Sequence, residues 1–254
     1  MARQPQENRT KEMDMGSVDF QNRYVRNFKV SHAYEQELER SFFNNKPQGF
    51  FVDVGANEPV IQSQTYHFEQ LGWRGLLLEP IPHYVQLLKE QRTGKVIQYA
   101  CSSPQNHGNT LKLIVAGGHS TLNTNPIALG TTSNETIDVT CRTLDSILEE
   151  NGVEPGFDFI SIDIEGHEME MFKGFTLTKW KPKLVLLEDH VTNHRKHNHM
   201  VSNGYQVIMR TGLNSWYVPK SDGYRLSVAA RIEFIRKYWL GLGFRKVKYF
   251  RMPL

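Results

Sequence analysis

Acidic and imidazole side chains in this 254-residue sequence gather where short apolar runs end. The run from Gly49 closes on Asp53-Val54-Gly55-Ala56-Asn57, and Leu76 to Leu78 closes on Glu79. The run from Phe157 closes on Asp163-Ile164-Glu165 with His167 just beyond, and Leu184 to Leu187 closes on Glu188-Asp189-His190. Short apolar runs bounded by turn residues read as buried strands. In an open parallel sheet ligands collect beyond the carboxyl ends of the strands, so these groups belong to one rim. Glu79 suits a vicinal diol, because a carboxylate accepts from two hydroxyls. Gly55, lacking Cβ, permits a sharp turn and close approach to a ligand. Asp163, Glu165, His167 and His190 are the candidates for moving a proton, and an ordinary histidine titrates nearest neutrality. Plainer readings stand beside these: Asp53 capping a turn, Glu79 solvated before Pro80, and Glu165 capping the next helix.

The elements that position this rim follow from pattern. Ser31 can cap a helix through about Phe43, which Lys46-Pro47-Gln48-Gly49 breaks. Ile61, Thr65, Phe68 and Leu71 recur at helical spacing before Gly72, and Tyr84, Leu87 and Leu88 mark another helix ended by Gly94. Val96 to Ala100 reads as a third strand. Thr110 to Val115 and Thr136 to Cys141, separated by Gly117, Gly118 and a polar loop, predict an inserted hairpin. Within that insert Ser120 and its neighbours stand where a loop can cover the rim. Thr143 caps a helix carrying Leu144, Ile147 and Leu148, and Met169 with Phe172 suggests another after the fourth strand. Tyr205 to Met209 and Trp216 to Val218 form a closing hairpin, and Val228, Ile232, Ile235 and Trp239 a last helix. The expectation is an α/β fold with a mostly parallel, doubly wound sheet, a β-hairpin insertion and a terminal antiparallel hairpin. It occupies one domain over residues 18–254, after a polar, disordered leader over 1–17.

A hydrophobic fraction of 39% and a charged fraction of 22% are those of a globular chain. No apolar run approaches the roughly 20 residues that cross a bilayer, and the polar start has no signal core, which points to the cytoplasm. Two cysteines, Cys101 and Cys141, give no disulfide framework. Asn8 and Asn134 head glycosylation-like triplets that are read as chance matches. From Arg225 onward eight Lys or Arg face the single acid Glu233. Combined with Trp239, Leu240, Leu242 and Phe244, that tail suits peripheral contact with an anionic membrane, the alternative being a helix packed on the core.

Taken in order, GFFVDVGANEP, LGWRGLLLEPIPHYVQLLKEQR, VTCRTLDSIL, FISIDIEGHEMEMFKGF and LVLLEDH resemble the motif series of FkbM-family methyltransferases, over roughly Gly49 to His190. Pro59 stands where many relatives carry glycine. The resemblance implies a Rossmann-like class I methyltransferase fold, S-adenosyl-L-methionine (SAM) as cofactor, and a methyl group moved to a hydroxyl, often on a sugar or polyketide. It places Asp53, Gly55, Ala56 and Asn57 around the methionine part of the cofactor, with Asp163 nearby. Glu79 falls to the ribose, and Cys101 or Ser102 lies near the adenine. Ser120 and His167 are assigned to the acceptor, a hydroxyl-bearing small molecule or glycan; among the rim groups themselves the base is taken to be His190 or Glu165 first, then Asp163.

Three other readings compete. An NAD-type oxidoreductase is disfavoured because no G-x-G-x-x-G follows the first run to hold a pyrophosphate. A non-catalytic glycan- or nucleotide-binding module fits the acidic, histidine-bearing rim poorly. Nucleic-acid methylation lacks the N-P-P-Y type sequence of amino-group methyltransferases, so no nucleic-acid partner is expected. His190, His194, His197 and His199 invite a metal, since His190 and His194 would share a helix face. They are read instead as a solvated surface helix, and no metal ligand is assigned.

Overall fold

The computed structural model describes residues 24–25, 31–116, 120–122, 135–226 and 228–248. The expected leader lies outside them, as do Gly117, Gly118, His119, Asn8 and Asn134.

In chain order the first elements are β1 (Tyr24–Val25), α1 (His32–Phe42), β2 (Phe50–Val54), α2 (Tyr66–Glu69), β3 (Arg74–Leu78) and α3 (Pro82–Gln91). Then come β4 (Lys95–Ile97), β5 (Ala100–Cys101), β6 (Thr110–Ile114), β7 (Thr136–Arg142), α4 (Leu144–Glu150) and β8 (Phe159–Ile162). The second half adds α5 (Glu168–Met171), α6 (Leu177–Trp180), β9 (Leu184–Glu188), α7 (Arg195–Ser202), β10 (Tyr205–Thr211) and β11 (Asn214–Pro219). The chain closes with β12 (Arg225–Leu226), α8 (Val228–Ile235), a π-helical turn (Arg236–Leu240) and α9 (Leu242–Lys248).

Local chemistry sets the predicted boundaries. Ser31 Oγ accepts from the Tyr34 amide to start α1, and Thr143 Oγ1 accepts from the Ser146 amide to start α4. A seven-stranded sheet runs β10-β11-β9-β8-β2-β3-β4, parallel from β9 to β4, with β11 antiparallel to both β9 and β10. Alternate strand residues serve opposite layers. Val52, Leu76, Ile160 and Val185 pack with Leu144, Leu148 and Trp180 on one face. Phe51, Leu77, Phe159 and Leu186 pack with Leu38, Phe43, Phe68 and Leu88 on the other. This is the strand order and layering of the class I methyltransferase fold.

Three expectations are corrected. The helix over Ile61 to Leu71 shrinks to Tyr66–Glu69, because Ser63 Oγ accepts from the amides of Thr65 and Tyr66 and holds the preceding residues in a polar loop. The strand over Val96 to Ala100 splits: β4 stays in the main sheet, while Ala100 and Cys101 leave to pair with Cys141 and Arg142 of β7. The histidine-rich segment starts its helix only at Arg195, so His190 and His194 share no helix face.

Candidate functional site

The strand order reverses between β2 and β8, and the cleft of about 600 Å³ opens there, beyond their carboxyl ends. Gly55 turns β2 out of the sheet at φ 87°, its amide bonded to Leu78 O at 3.0 Å. A Cβ at Gly55 would stand 1.9 Å from the backbone oxygen of Asp163. Its bareness therefore serves first the close passage of β2 over the exit of β8. Asn57 and Glu165 take φ of 46° and 50°, and Val191 51°, just past β2, β8 and β9. Side chains in this left-handed region cost about 1–2 kcal/mol each, and such strain concentrates at functional rims.

On the β2–β3 side, Glu79 is 3% exposed, its Oε2 accepting from the Asn57 amide at 2.9 Å and its Oε1 from the Ile81 amide at 2.8 Å. Burial pushes its carboxyl up to about 7, against the pull of those two amides. Each oxygen keeps a second lone pair for a ligand. Among the described residues, Asn57 Oδ1 and Gln64 Oε1 are buried without a hydrogen-bond partner, and both residues line the cleft. Asp53 accepts from Thr65 Oγ1 at 2.7 Å, and burial holds its carboxyl above the usual range. Arg92 braces this wall, donating to Pro59 O, Ser63 Oγ and Thr65 Oγ1 at 2.8–3.0 Å. Cys101 lines the cleft, its thiol pushed up by burial. Ser102 is fully buried and outside the lining, bonded to His167 Nε2 at 3.0 Å.

On the β8–β9 side, oxygens of Asp163, Glu165 and Glu188 all lie within 4.8 Å of one another. Like charges so close cannot all ionise freely. Desolvation by the groups crowded around it, then Glu188, Glu165 and Glu168, raise the Asp163 carboxyl above its ordinary value, even though the residue is exposed on the open side of the cleft. Burial alone would raise Glu188 too, but His190, Lys196 and Asp163 outweigh it and keep that carboxyl low. A proton taken up by the pair is therefore favoured on Asp163 over Glu188. Glu165 does not cap α5; Glu168 Oε1 takes the Gly166 amide at 3.1 Å, and the positive φ of Glu165 leaves its side chain on the cleft wall. Thr121 Oγ1 donates to Glu165 O at 2.8 Å and ties the insert to this turn.

The sequence profile described as "Methyltransferase FkbM domain" matches residues 53–241. The chain belongs to the FkbM methyltransferase family. No curated protein matches it. Among solved structures, a precorrin-6y C5,15-methyltransferase from Geobacter metallireducens GS-15 aligns at 12% identity and a TM-score of 0.41, over 78% of this chain and 93% of that one.

The FkbM methyltransferase thus brings Asp53, Gly55, Ala56, Asn57, Glu79, Cys101, Ser120, Asp163, Glu165 and His167 to one cleft. His190 is placed differently: it stands behind the lining, its Nε2 3.4 Å from Glu188 Oε1. His167 lines the cleft, and burial lowers its basicity. His194 contacts Tyr238 O, His197 Nδ1 lies 3.1 Å from Tyr217 Oη, and His199 stacks on Phe172. These half-buried rings are packing groups rather than the solvated surface helix expected from the sequence. Among the described residues the oxygens that converge as for a hard divalent cation are those of Asp163, Glu165 and Glu188. Sequence reasoning missed His32, Gln62 and Gln64, which reach the cleft from α1 and the loop before α2. None of them ends an apolar run, so no signal marked them. Ser120 lines the cleft and its Oγ accepts from the Ala116 amide at 2.9 Å, which folds the described part of the insert over the acidic wall.

Proposed function

We propose that this FkbM methyltransferase uses SAM and moves its methyl group to a hydroxyl of a sugar, glycan or related natural product. The observation that carries the reading is the division of one cleft into a Glu79–Asn57 wall and an acidic wall at Asp163 and Glu165. With strands about 4.8 Å apart, the ends of β3 and β8 stand roughly 10 Å from each other, room for a cofactor beside an acceptor. Bound SAM would supply an electrophilic methyl on a sulfonium. Glu79 would take the ribose diol on its remaining lone pairs, and Asn57 Oδ1 and Gln64 Oε1 would accept from donors of the methionine end. Asp163, its carboxyl biased toward the neutral form, would orient the acceptor oxygen, and Glu165 would remove the hydroxyl proton as that oxygen attacks. Glu188, held low by His190 and Lys196, favours Asp163 as the proton-bearing member of the pair.

Melting curves with SAM, S-adenosylhomocysteine and NAD test the cofactor. At about a hundredfold Kd a ligand adds roughly 2.7 kcal/mol, expected here as a rise of about 5–10 °C with the first two and none with NAD. No shift with either sulfur ligand in folded protein would sink the reading.

Glu79 adds a pH signature. Free protein keeps the Glu79 proton below about pH 7, and a diol that donates two hydrogen bonds needs the carboxylate. Cofactor affinity should fall about tenfold for each unit of pH below that point, with about one proton released on binding near pH 6. Calorimetric titration in two buffers of different ionisation heat measures the proton. Glu79→Gln should flatten the dependence, and an unchanged slope in the variant would assign the proton elsewhere.

A further inference from the structure

The carboxyl-terminal arm carries an apolar face that lies largely in solvent, with the Trp239 ring also meeting the His194 ring at 4.7 Å. Val228, Ile232, Ile235 and Trp239 follow at helical spacing, and Leu240, Phe244 and Val247 repeat it one residue later. The π-helical turn over Arg236–Leu240 accounts for the offset, because it fits one more residue into a turn and brings the second set back under the first. All seven side chains are at least half exposed, from 50% at Ile235 to 78% at Leu240. The opposite face is tied down: Tyr238 is buried and bonds Ser215 Oγ, Phe234 stacks on Tyr238, and Arg245 Nε donates to Val191 O at 3.0 Å. Arg225, Arg231, Arg236 and Lys246 are exposed beside the stripe.

We propose that this stripe docks the enzyme on the surface of an anionic lipid bilayer, its apolar side chains entering the interface and its cations meeting the headgroups. Charge selects the occupant. A second copy meeting this face about a two-fold axis would set cations against cations, whereas an anionic bilayer offers apolar depth and opposite charge together. The arm is tethered to the loop leaving β9, at the same end of the sheet as the cleft, which places the acceptor wall and the docking surface at one end of the molecule. The inference stands apart from the choice of cofactor and acceptor.

The test is co-sedimentation of the full chain with vesicles of phosphatidylcholine alone and of phosphatidylcholine with about a third phosphatidylglycerol, at low and physiological salt. Binding should be confined to the anionic vesicles and weaken with salt. The double variant Leu240→Ala/Phe244→Ala should lose at least about tenfold in partitioning with an unchanged melting temperature, since both side chains are about three-quarters exposed. Failure of the intact chain to bind anionic vesicles, equal binding to neutral ones, or full binding by the double variant would each overturn the proposal. So would self-association that the double variant abolishes without any vesicle binding, which would give the face to a second copy.

Discussion

Glu165→Gln is expected to lower kcat by about 10²–10⁴-fold while leaving the cofactor Kd within a few-fold, measured by single-turnover methyl transfer and by calorimetry. The replacement keeps shape and the backbone conformation at φ 50°, and removes only the ability to take a proton. Asp163→Asn should cost much less, under about tenfold at neutral pH, because Glu188, Glu165 and Glu168 bias the Asp163 carboxyl toward the neutral form, which an amide imitates. Equal losses from both substitutions would show that Asp163 works as a carboxylate and that the assignment of the base is wrong. A chelator distinguishes a second use of the same oxygens: activity abolished by EDTA and restored by a divalent cation would make the trio a cation cradle.

Gly55→Ala is expected to cost about 4 kcal/mol or more, read as a fall of at least roughly 8 °C in Tm or as loss of soluble protein. Two penalties combine. The residue sits at φ 87°, where a side chain is strained, and its new methyl would overlap Asp163 O, a backbone atom that cannot rotate away. Relief requires β2 and β8 to part at the switch point, so cofactor binding should fail even in folded protein. Gly108 is the control: it also has positive φ, 79°, but open space around its missing Cβ, so alanine there should cost only about 1 kcal/mol. A Tm for Gly55→Ala close to that of Gly108→Ala would refute the argument.

The rim was legible because buried parallel strands read as continuous apolar runs, and the first polar residue after each run marks an exit. Asp53, Glu79, Asp163 and Glu188 all announce themselves this way. Misreadings came where side chains compete with the backbone for the same hydrogen bonds. Ile61, Thr65, Phe68 and Leu71 keep a helical period, yet Ser63 and Arg92 capture the local polar groups and the chain stays irregular through Ser63. His190 closes the same apolar run in the sequence but lies two residues past the end of β9; the next residue, Val191, has positive φ, and the ring backs Glu188 instead of lining the cleft. His32 and Gln64 were invisible because reaching the cleft depends on how α1 crosses the loop before α2, and one stretch of sequence carries no record of that crossing. Periodicity reports which side of an element is buried; it is silent on which polar partner wins.

The central position of β2 has a temporal consequence. Val52 pairs on one side with Leu76, a neighbour in the chain, and on the other with Ile160, which is made much later. A chain emerging from the ribosome therefore completes Asn57 and Glu79 while the second edge of β2, lined by Phe51, Val52 and Val54, is still unpaired. Such an open apolar edge is sticky, and closing it must wait for a long loop to return. Docking of β8 is thus the step that closes this edge and sets Asp163 beside Gly55, while the acidic wall still waits for β9 to bring Glu188 alongside, so that ligand binding during synthesis would report a moment after β9 has paired.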